Sequence, residues 1–225
     1  MPIFYFVFSC LCLGYFVIME SHFSKRQRFF YKIINSFNFC MVALLSYLAL
    51  EAPNKETFSY IMIALVLGAI GDVFLGLQHV YPQQRTKFFI FGFLSFLGGH
   101  IVYLLYFFHI QPVTIIVPII MSVLISLAYL GLKLLKIRFG KYTILIFVYL
   151  ILITFIVSSA LARVVTERKI DHVIFFLGIL LFFGSDCLLS ILYFDKPQNT
   201  RILKFINSSL YFSGQLLIAF SIYFQ

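Results

Sequence analysis

Two aspartates sit where the chain is otherwise apolar: Asp72 in "ALVLGAIGDVFLGL" (64–77) and Asp186 in "FLGILLFFGSDCLLSILYF" (176–194). The other acidic residues, Glu20, Glu51, Glu56, Glu167, Asp171 and Asp195, fall in loops or at the ends of apolar runs. An ionisable group deep in such a run is costly to place in lipid, so it faces the protein interior or a wet cavity and marks a site by default. Two carboxylates sharing a site can divide the roles of proton donor and base, and we expect Asp72 and Asp186 to act jointly as catalytic residues.

Other polar residues fall in the same apolar layer. His100 and Tyr103 lie in "GFLSFLGGHIVYLLYF", Asn207, Tyr211 and Gln215 recur at intervals of four, and Asn35 and Asn38 stand near the start of an earlier run. Residues three or four apart share one helix face, so each set lines one side of its helix. We assign them to cavity lining and substrate binding first, and to chemistry second. Around the first aspartate the face reads Ala64, Gly68, Asp72, Gly76, small residues that let a helix or a ligand approach closely.

The elements that must position these groups are membrane helices. The chain is 62% hydrophobic and 11% charged, far from a soluble composition. A span needs about 20 mostly apolar residues, and the polar clusters divide the chain into eight: 2–19, 29–50, 57–77, 87–108, 112–135, 141–163, 171–193 and 202–224. The expected fold is all-α, a single polytopic bundle of eight transmembrane helices over 1–225. The first run has no basic leader and no small-residue cleavage pattern after it, and reads as a retained helix.

The net charge of +9 resides in short loops, which speaks for membrane orientation rather than nucleic acid as partner. The odd-numbered loops hold thirteen Lys and Arg against four in the even-numbered ones. That predicts cytoplasmic odd loops, both termini outside, and both aspartates in the cytoplasmic half, on the order of 10 Å below the boundary. The expected location is a bacterial inner (cytoplasmic) membrane.

No cofactor or metal is expected. Cys10, Cys12, Cys40 and Cys187 all lie within spans with no metal-ligand spacing, and are read as small packed apolar residues. Walker, GxGxxG, GxSxG and HExxH patterns are missing. "GDVFL" and "SDCLL" align at an offset of 114 positions, the trace of a four-helix internal repeat whose two copies share one orientation and build a site around a common axis.

At these motifs the sequence resembles the lysoplasmalogenase, or YhhN-like, family. The matching segments are "LGAIGDVFLGL", "FFIFGFLSFLGGHIVYLLYF", "GILLFFGSDCLLSILYF" and "SSLYFSGQLLIA", in the expected order. "FVYLILITFIVSSALAR" is similar to the family's tyrosine-bearing helix and adds Tyr149 to the substrate-binding set, whereas Lys32 is followed by Ile33 where members tend to carry Lys-Pro. The resemblance implies hydrolysis of the vinyl ether of a lysophospholipid substrate, giving a fatty aldehyde and a glycerophospho-alcohol. Partners are then that lysophospholipid and membrane lipids. The competing expectation is a proton-coupled transporter or lipid carrier that loads protons on the two aspartates.

Overall fold

The computed structural model describes residues 1–110, 113–137, 139–194 and 200–225. Asp195, Arg138 and Lys196, named or counted above in the loops, lie outside them. Eight helices carry the described chain: α1 (Pro2–Met19), α2 (Lys25–Leu48), α3 (Lys55–Val80), α4 (Arg85–Ile110), α5 (Ile116–Leu134), α6 (Thr143–Glu167), α7 (Ile170–Phe194) and α8 (Thr200–Ser221). Each is long and apolar enough to cross a membrane, and the protein is a multi-pass integral membrane protein.

Local chemistry sets the ends. Ser24 opens α2 with a capping box, its hydroxyl accepting from Gln27 N while Gln27 Oε1 accepts from Ser24 N, which satisfies two otherwise orphaned donors. The helix therefore starts at Lys25, through basic residues that an apolar-run criterion assigns to a loop. Asn54 caps α3 by accepting from Thr57 N. Arg168 adopts φ 52° and ends α6 in the left-handed conformation.

The two halves have matching architecture. A shift of 114 residues carries α1 onto 116–133, α3 onto 169–194 and α4 onto 199–224, nearly superimposing the bounds of α5, α7 and α8. Packing repeats as well. α3 lies along α4 as α7 lies along α8; α2 packs on α3 as α6 packs on α7; α4 meets α6 as α8 meets α2.

Small residues make the two main seams. A methyl on Gly92 would come 3.2 Å from Gly71 O, and one on Gly178 would come 2.8 Å from Gly214 O, so the backbones touch across each pair.

One seam is not repeated. α1 packs on both α2 and α8, whereas α5 packs on α6 without the corresponding seam against α4.

Candidate functional site

Asp72 and Asp186 hold corresponding places, each eight residues before the end of its helix, roughly 12 Å of helix at 1.5 Å per residue. Each is met by one hydroxyl from the preceding helix and one polar ring from the other half. Asp72 Oδ2 accepts from Ser36 Oγ of α2 at 2.7 Å and from Tyr211 OH of α8 at 2.7 Å. Asp186 Oδ2 accepts from Tyr149 OH of α6 at 2.8 Å, and His100 Nε2 of α4 stands 3.7 Å away.

The histidine ring has a definite polarity. His100 Nδ1 lies 2.8 Å from the Phe96 carbonyl. A carbonyl oxygen only accepts, so Nδ1 carries the hydrogen, and in the neutral ring the lone pair falls on Nε2. That atom is buried, has no hydrogen-bond partner among the described residues, and faces Asp186. The contact exceeds hydrogen-bond length by less than about 1 Å.

The hydrogen bonds described for the two carboxylates come from different residues, and a shared aromatic wall stands between their surroundings. Phe182 packs on His100 at 5.1 Å and edge-on against Tyr211 at 5.6 Å, while Phe96 packs edge-on against Tyr211 at 5.9 Å. The small face of α3 serves this arrangement. A methyl on Gly68 would come 3.5 Å from Tyr211 OH and 4.0 Å from Gln215 Nε2, so the small residue admits α8 side chains.

The two carboxylates differ in access. A cavity of about 400 Å³ lies between α4, α5, α6 and α7, within the usual range for small-molecule sites. Asp186 and Tyr149 line it, with apolar side chains such as Phe93, Leu127 and Ile153 around them. Asp72 is buried and is not among its lining residues. Tyr193 also lines the cavity and accepts a hydrogen bond from Gln78 of α3.

The remaining expected site residues are placed as follows. Tyr103 is buried one turn beyond His100, its ring edge-on to Phe175 at 5.9 Å and its hydroxyl without a hydrogen-bond partner among the described residues. Asn207 accepts from Ser185 Oγ at 3.4 Å, beside Asp186 in sequence. Gln215 is buried near Gly68. Asn35 donates to the Tyr31 carbonyl of its own helix, and Asn38 accepts from Tyr5 OH of α1. None of these five lines the cavity.

Ser36 was not anticipated. Its only signal is position, one helical turn beyond Lys32 and between two asparagines. The cysteines form no disulfide among the described residues; Cys10 and Cys187 are exposed rather than packed, Cys187 on the cavity wall. No group of His, Cys, Asp and Glu among the described residues is arranged to hold a metal ion.

The sequence model of the YhhN family matches residues 34–222, which takes in α3 to α8 whole and both carboxylates with Ser36, His100, Tyr149 and Tyr211. The chain belongs to the YhhN family. Lysoplasmalogenase is the known activity of YhhN-like proteins, and membership supports a function of that type at the level of the family. No match was found among curated proteins or among solved structures.

Proposed function

We propose that this protein hydrolyses the vinyl ether bond of lysoplasmalogens, lysoplasmenylethanolamine or lysoplasmenylcholine, with Asp186 as its acid/base group and Asp72 as a second carboxylate that stabilises the developing positive charge. The observation that carries this reading is a carboxyl group, Asp186, on the wall of an otherwise apolar cavity, tied to Tyr149 and faced by His100.

Vinyl ether cleavage begins when an acid protonates the alkene carbon distal to the ether oxygen, leaving an oxocarbenium ion. Water adds to the cationic carbon and gives up a proton to a base. The hemiacetal collapses to a fatty aldehyde and glycerophosphoethanolamine or glycerophosphocholine. We assign Asp186, the carboxyl on the cavity wall, as that acid and, once it has given up its proton, as the base that takes one from water. Asp72, with Ser36 and Tyr211 fixing it, contributes fixed negative charge on the other side of the aromatic wall. In this reading the basic loops are cytoplasmic and both termini lie outside, following the bias of Lys and Arg.

A second reading is favoured by the repeat. Two equivalent carboxylates in parallel halves also suit a proton-coupled transporter. One assay separates them. Purified full-length protein in detergent is given 1-alkenyl-lysophosphoethanolamine and, separately, 1-alkenyl-lysophosphocholine, and aldehyde release is followed for wild type, Asp72→Asn and Asp186→Asn, with helicity and thermal unfolding confirming the fold. Turnover by wild type that is lost in both variants supports the hydrolase. Turnover that survives both substitutions overturns the carboxylate mechanism, and a folded wild type that is inert on both head groups turns the assignment to the transporter, tested by uptake into sealed vesicles under a pH gradient.

A further inference from the structure

The 114-residue correspondence isolates what makes the second half different. In α1, Leu13, Phe16 and Val17 are 7%, 0% and 7% exposed; Phe16 sits edge-on against Phe212 of α8 at 5.8 Å. Their counterparts in α5 are Leu127, Leu130 and Gly131. Leu127 and Leu130 are 59% and 50% exposed, and a methyl built on Gly131 meets no atom within 4 Å. Leu127 and Gly131 line the cavity. The apolar volume that α1 supplies in the first half is missing from the second, and the cavity lies where it is missing.

We propose that a single unbranched hydrocarbon chain, that of an ether lysolipid, fills this cavity and completes the second half as Leu13, Phe16 and Val17 complete the first. The proposal rests on the hydrolase reading for the identity of the lipid. The wall dictates the chemistry of the occupant: it is almost wholly aliphatic and aromatic, with its carboxyl at Asp186. Covering exposed leucines with methylenes is favourable where the displaced contact is water. A chain with one polar junction near its end puts that junction at Asp186 and the rest against α5. Because α5 leans on α6 without the matching seam to α4, the gap between α4 and α5 is the side on which a lipid reaches the cavity without crossing a packed seam.

The chain contains no Trp, so a single introduced indole reports alone. Leu127→Trp in the full-length protein is titrated with a 1-O-alkyl lysophosphocholine brominated in its chain, a saturated ether that cannot undergo vinyl ether cleavage. Saturable quenching relieved by the unbrominated analogue is expected, while Phe4→Trp on the exposed face of α1 shows only quenching proportional to total lipid. Gly131→Phe, which fills the space, should abolish the saturable component and raise KM for the alkenyl substrate by about tenfold or more, the scale of a lost hydrophobic pocket contact, with kcat within about threefold.

Quenching that does not saturate, or equal displacement by a diacyl phospholipid, overturns the proposal, as does a Gly131→Phe variant with unchanged KM. Saturable binding of the alkyl ether without any turnover of the alkenyl substrate sustains the cavity assignment and rejects the hydrolase reading. Turnover insensitive to Gly131→Phe does the reverse.

Discussion

His100 presents a bare Nε2 to Asp186 Oδ2 at 3.7 Å, because its other nitrogen is spent on the Phe96 carbonyl at 2.8 Å. On its other side the same carboxylate oxygen accepts from Tyr149 OH at 2.8 Å. Asp186 therefore stands between a donor and an acceptor, with the cavity on its open side. A ring nitrogen without a hydrogen can share a carboxyl's proton, and at 3.7 Å a small shift brings Nε2 within hydrogen-bond reach of Oδ2.

His100→Gln keeps an amide donor for the Phe96 carbonyl but replaces the ring whose lone pair faces Asp186. We expect kcat to fall by roughly ten- to a hundredfold, within the span of acid/base assistance, with KM unchanged because His100 is not among the residues lining the cavity. His100→Phe retains a ring against Tyr149 and Phe182 and should lose at least as much turnover while unfolding near the wild-type temperature. Steady-state kinetics on both, with thermal unfolding in detergent, check this; a change confined to KM would remove His100 from any part in proton transfer.

The tyrosine hydroxyls on the two carboxylates should fail differently. Tyr149 lines the cavity, whereas Tyr211 and Ser36 are buried in the seams of α8 and α2 with α3. Tyr211→Phe leaves a buried carboxylate short of a donor and should cost about 1–3 kcal/mol of stability, and Tyr211→Phe with Ser36→Ala more than either alone. Tyr149→Phe should act chiefly on kcat. Unfolding midpoints set beside kcat for the three single variants test the split, and equal stability losses for Tyr149→Phe and Tyr211→Phe would remove it.

Composition and charge spacing made the eight spans and the repeat legible, because length, polarity and period act locally. The start of α2 was not, since Ser24 and Gln27 build their cap inside a basic run that resembles a loop. The matched depth of Asp72 and Asp186 was readable from counting. Their separate partners were not: Ser36 is an ordinary mid-helix serine until α3 brings Asp72 to it, and Asn35, as polar and one position away, bonds its own helix instead. Least legible was the cavity. A leucine that faces a neighbour, like Leu13, and one that lines an open space, like Leu127, are the same letter at equivalent positions; only the missing seam between α5 and α4 distinguishes them.

Stability of each half should depend on its close backbone seam. A methyl on Gly178 would meet Ile218 Cγ1 at 2.7 Å, Gly214 O at 2.8 Å and Ile218 N at 2.8 Å, two of them backbone atoms that cannot rotate away. Gly184, on the same helix, would meet only Leu210 Cδ1 at 3.6 Å, an ordinary contact with a flexible end. Overpacking a tight seam costs about 1–3 kcal/mol, while alanine in a helix is intrinsically better than glycine by about 1 kcal/mol. Gly178→Ala should therefore lower the unfolding temperature and Gly184→Ala hold or raise it. Because α7 carries Asp186, a seam forced apart at Gly178 should also lower turnover, and Gly184→Ala should leave it intact. Thermal unfolding and aldehyde release measured on the same preparations test both, and a Gly178→Ala protein as stable and active as wild type would show that the α7–α8 seam yields without moving the site.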